Sequence, residues 1–198
     1  MTDFPDPVAC VRDIADWFRV HAPTNWARLR ETAPTSGEEV GALEAELELS
    51  LPADFRTYLA CSGGGLSFWE YRGLDIRRIA REYRRLCRYL ADGTFAGHEI
   101  FDDARGFLRR VKWHPGWVPF AEDGCGNHFC LDLMPAESRV SGQVFSWEVR
   151  GGPGISTPHP RSFGQFLARY RELLLSNRFS FEVESGTFAG PNVPDARP

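Results

Sequence analysis

The sequence predicts a single α+β domain, with an antiparallel sheet of about four to six strands flanked by helices. Three observations carry this. Residues 117–133 have the pattern of a β-hairpin, and 140–149 add a strand of period two. Segments on either side of them carry apolar residues at helical spacing. No internal repeat and no linker-like stretch divides the chain.

The elements follow in order. Residues 6–21 fit an amphipathic helix with Val8, Val11, Ala15 and Phe18 inward, ended by His21-Ala22-Pro23. A second helix over 25–32 offers Trp26 and Leu29 to the core. Ser36 and Glu39 have capping-box spacing, and the helix they open carries Val40, Leu43 and Leu47 inward. Pro52 suits the first turn of a fourth helix, with the apolar stripe Phe55, Tyr58 and Leu59 and a stop at Gly63. Residues 66–71 are aromatic-rich and extended.

A helix over 75–90 is capped by Asp75 and ended by Asp92-Gly93, with Ile76, Ile79, Tyr83, Leu86 and Leu90 on one face. Its arginines, Arg77, Arg81, Arg84, Arg85 and Arg88, fall elsewhere and form an ordinary solvated face with Glu82 available as a partner. A short helix fits 102–110, and 151–160 is loop. Ser162 and Gln165 open a helix that ends near Ser176, and alternation at Phe179, Phe181 and Val183 gives a last strand. Three segments result: an N-terminal helix (1–24), the main domain (25–188) and a proline-rich tail (189–198) expected to be disordered.

In the central hairpin, Val118 and Phe120 alternate on one strand, and Phe129, Leu131 and Leu133 on the other. Asp123-Gly124 and Gly126-Asn127 are residue types that reverse a strand. Pro119, with no N–H, suits an edge. Asp132 faces the side opposite Leu131 and Leu133.

Composition excludes several classes. A net charge of −4 argues against general nucleic-acid binding. No apolar run spans a bilayer, and the start of the chain lacks a signal-peptide pattern. Five cysteines without a framework spacing suit free thiols in a reducing, cytoplasmic setting. Of 23 basic residues only Lys112 is lysine, a skew that points to a GC-rich, bacterial genome.

The chemical candidates are few. Cys125, His128 and Cys130 are the residue types of a metal site or a cysteine nucleophile, but the spacing matches no common zinc pattern and no second paired set occurs. The expectation is no metal, no cofactor and no catalytic set. Gly63–Gly65 and Gly151–Gly154 lack the features of phosphate loops.

Four motifs, in order, resemble the SUKH superfamily, which includes a fungal cell-wall-assembly regulator and bacterial immunity proteins that neutralise toxins. They are Leu51-Pro52-Ala53-Asp54-Phe55 running to Gly63; Trp117-x-Pro119-Phe120-x-x-Asp123-Gly124-x-Gly126-Asn127 with Asp132; Gly142-Gln143-Val144; and Ser162-Phe163 with Phe166-Leu167. The resemblance implies a SUKH-like fold and a non-enzymatic protein-binding role. An immunity protein bound to a cognate toxin, a nuclease for example, is the first reading, and a regulatory adaptor the alternative. On the resemblance, Leu51, Pro52, Trp117, Pro119, Phe120, Gly124, Gly126 and Asp132 are chiefly fold-forming, and Asp123 serves both fold and contact. For the partner surface, the sequence points to Trp69, Glu70, Tyr71, Glu122, Asp123, His128, Trp147 and Glu148, an acidic and aromatic set suited to a basic protein.

Overall fold

Helix signals in the sequence become helix boundaries almost residue by residue. A computed structural model describes residues 6–98, 106–135, 141–155, 159–176, 180–182 and 187–189. Its helices are α1 (Pro7–His21), α2 (Pro23–Glu31), α3 (Gly37–Leu47), α4 (Ala53–Ser62), α5 (Ile76–Ala91) and α6 (Phe163–Leu175). Both halves of the Ser36/Glu39 capping box form at α3. Asp75 and Ser162 accept from the backbone N–H groups of Arg78 and Gln165. Gly63 ends α4 with φ at +61°, and a Cβ there would lie 1.9 Å from the Ala33 carbonyl oxygen, so only glycine fits.

The strands are β1 (Ser67–Phe68), β2 (Tyr71–Gly73), β3 (Trp117–Glu122), β4 (His128–Asp132), β5 (Gln143–Glu148) and β6 (Gly152–Gly154), with β7 (Ser180–Glu182) and β8 (Thr187–Ala189) apart from them. The first six form an antiparallel meander in sequence order, and the last two pair with each other.

Period-two alternation divides the sheet's residues between two cores. On one face, Val118, Phe120, Leu131 and Val144 meet α1, α4 and α6. There Phe55, Phe120, Phe163 and Phe166 pack mostly edge-on, at 4.9–5.9 Å for the edge-on pairs. On the other, Trp117, Cys130, Phe145 and Trp147 meet Leu86 of α5 together with Leu108 and Trp113. Each of these large side chains contributes roughly 1.5–3 kcal/mol by leaving water.

Several expectations are corrected. The buried face of α1 is Cys10, Val11, Ile14, Trp17 and Phe18, while Val8 is 47% exposed. Residues 66–71 hold β1, a turn at Trp69-Glu70 and the start of β2, not one extended run. Gly152–Gly154 is a strand, because β5 offers it an open edge. Pro119 lies in an interior strand: β2 reaches only to Ala121, and the β3–β4 register shifts between Pro119 and Ala121. On α5, Leu90 is exposed and Glu82 is buried, the reverse of the helical-stripe reading. The helix expected over 102–110 lies partly outside the described residues, and 106–110 form turns and bends. Strand residue 140, strand residues 179 and 183, and the tail from 190 also lie outside them.

Candidate protein-binding site

The β1–β2, β3–β4 and β5–β6 turns all emerge at one end of the meander, since Arg72, Glu122, His128 and Trp147 stand in register across four adjacent strands. Six of the eight predicted surface residues converge there. Glu70 is exposed, and Trp69, Tyr71, Glu122, Asp123 and Glu148 are half-buried.

The middle turn is fastened by Asp123. Its Oδ1 accepts from the N–H groups of Cys125 (2.7 Å) and Asn127 (3.0 Å), and its Oδ2 from Asn127 Nδ2 (2.7 Å). Asn127 Oδ1 then accepts from Val149 N–H at 3.0 Å, tying this turn to the next one. Gly124 and Gly126 supply the positive φ angles that the reversal needs.

Trp69 sits in the left-handed region at φ +53°, a costly conformation for a bulky residue. Packing holds it there, with its ring 4.9 Å from Tyr170 and 6.0 Å from Phe129. Tyr71 lies on Phe129 at 4.2 Å. Burial first, then the nearby charges of Asp123, Glu70 and Glu148, push the Tyr71 phenol well above its ordinary range. Three carboxylates from three turns thus surround one half-buried aromatic patch.

Two predicted contact residues do not belong to this surface. His128 is wholly buried and Trp147 is 1% exposed. The alternation that places Phe129 toward α6 turns both of them inward on the α5 side, where Trp147 Nε1 donates to the Lys112 carbonyl oxygen at 2.5 Å. His128 instead faces Glu82, Nε2 to Oε2 at 3.6 Å, while Arg85 Nε and Nη2 approach the same oxygen at 2.9 and 2.5 Å. His128 and Arg85 hold the Glu82 carboxyl down at about 2. Sequence reasoning missed Glu82 as a site residue. Its partner is 46 positions away, and nothing local marks the contact.

Cys125 is exposed at the turn while Cys130 is buried, its thiol raised well above the usual range by burial. Among the described residues, the group of potential metal ligands that converges is Glu82, Glu122 and His128, with no cysteine in it.

At the opposite end of the sheet Asp132 is fully buried. It accepts from Gln143 Nε2 (2.8 Å) and Met134 N–H (3.2 Å), and Gln143 Oε1 meets His159 Nε2 at 3.0 Å. Burial pushes this carboxyl up.

A six-strand meander with helices on both faces, and its polar motif residues spent on turns and buried bonds, defines an α+β domain without a catalytic constellation among the described motif residues. The model described as the SMI1 / KNR4 family (SUKH-1) matches residues 34–169, and the chain belongs to that family. It is 34% identical over 151 residues to the "Cell wall biosynthesis/cell cycle regulator smi1" of Schizosaccharomyces pombe, covering 66% of this chain and 29% of that protein. It is 26% identical over 163 residues to a "KNR4/SMI1 homolog" of Yarrowia lipolytica, covering 56% of this chain and 23% of that one. The chain therefore spans less than a third of the length of the curated relatives it matches. Helix α1 precedes the matched range yet packs into the main core.

Proposed function

We propose that this chain is a non-enzymatic regulatory domain that docks a basic protein segment on the three-turn end of its sheet. The observation that carries the reading is the convergence of Glu70, Asp123 and Glu148 on the Trp69–Tyr71–Phe129 patch. Aromatic anchors rimmed by charge are the usual make-up of a recognition surface, and complementary charge speeds encounter. Family membership and the regulator named in fission yeast support a protein-binding role over catalysis. The test compares proteins captured by the wild-type chain and by E70K/E148K. A basic protein held by the first and lost from the second supports the reading, and equal capture by both overturns it.

A second reading, neutralisation of a cognate toxin, is favoured by the arginine-for-lysine skew, which points to a bacterial source. Co-expression with toxin candidates encoded beside the gene tests it. Growth rescue together with a stable complex supports immunity, and absence of both returns the weight to the regulatory role.

A further inference from the structure

We propose that Glu82, Glu122 and His128 form a binding site for a divalent transition cation of the zinc class. Their ligand atoms lie within 4.8 Å of one another. A tetrahedral zinc site with bonds near 2.0–2.2 Å places its ligand atoms about 3.3 Å apart, so small side-chain rotations close the set. The three residues sit on separate regular elements. Glu122 and His128 are cross-strand partners on β3 and β4, and Glu82 stands over them from α5.

The second observation is His128 itself. It is 0% exposed, and among the described residues neither ring nitrogen has a hydrogen-bond partner. A buried imidazole without a partner is costly, and the 3.6 Å approach to Glu82 only partly compensates. A cation supplies the missing partner. Access is from the side of Glu122, whose side chain is 24% exposed.

One imidazole with two carboxylates suits zinc better than calcium or magnesium, which prefer oxygen throughout. Three protein ligands leave a fourth position for water.

Arginines compete for the same carboxylates. Arg85 pairs with Glu82, Arg81 approaches it at 3.4 Å, and Arg78 stands 3.9 Å from Glu122. All three reach water, at 34%, 61% and 46% exposure, so each is free to swing away when a cation enters.

Calorimetric titration of the chelator-treated full chain with zinc chloride tests the site, with cobalt(II) absorption as a readout of tetrahedral geometry. One equivalent is expected to bind. E122Q is expected to weaken binding by about tenfold or more, and C125S to leave it unchanged. Replacing His128 opens a cavity, so the half-buried Glu122 carries the test. No binding, binding unaffected by E122Q, or binding abolished by C125S overturns the proposal.

Discussion

Glu82 of α5 and His128 of β4, both buried, meet 3.6 Å apart. The contact pins the helix to the centre of the sheet through a charged group. It also converts a position on an arginine-rich helix into a determinant of tertiary structure. Its energetics are open to titration.

Glu82 has a folded-state value of about 2, below the unfolded carboxyl value near 4.5. Its contribution is fully present above the unfolded value and is lost as pH falls toward 2. Urea unfolding at pH 7, 4 and 2.5 is expected to show the wild type losing roughly 2 kcal/mol more than E82Q across that window. An identical pH slope for the two proteins would refute the pairing.

Asp132 behaves with the opposite sign. Burial raises its folded value above the unfolded one, so the stability it contributes is greatest below the unfolded value and declines as pH rises through the folded value. D132N removes that slope while keeping an oxygen for Gln143. D132L removes the acceptor for both Gln143 and Met134 N–H, and is expected to cost about 2–3 kcal/mol at neutral pH. Paired denaturation curves at pH 4 and 7 distinguish these outcomes.

Trp147 and Glu148 are neighbours in sequence with separate roles. W147A empties the α5-side core and is expected to cost about 3–5 kcal/mol in thermal or urea unfolding. E148K, on the half-buried rim, is expected to leave the unfolding midpoint unchanged and to slow association with a basic partner on the order of tenfold. Surface plasmon resonance on partner and variants measures the second effect.

Gly73 of β2 passes against the preceding segment. A Cβ there would lie 2.1 Å from the Gly64 carbonyl oxygen and 2.2 Å from that of Leu66. G73A is therefore expected to displace β2 and destabilise by more than about 2 kcal/mol. A mild effect, with an unchanged amide spectrum around Leu66, would show that the backbone yields.

Local chemistry wrote most of the architecture into the sequence. Ser36, Asp75 and Ser162 cap helices because each side-chain oxygen satisfies a free N–H a few residues on, and Asp123 closes the central turn for the same reason. Val118, Leu131 and Val144 were legible as one face because alternation has a fixed period. Alternation shows that two faces exist, but it carries no mark of what covers each. In the sequence Trp147 and His128 therefore read as surface, whereas in the fold α5 and the Leu108–Trp113 segment cover them. Gly152–Gly154 became a strand only because the β5 edge stood beside it, and Glu82 became buried only because α5 lies on β4. Interactions within about four residues belong to the sequence itself. The Glu82–His128 contact, the approach of Asp123 and Glu148 to Tyr71 and the Asp132–Gln143–His159 chain join residues 11 or more positions apart, and only the packing of the tertiary structure decided them.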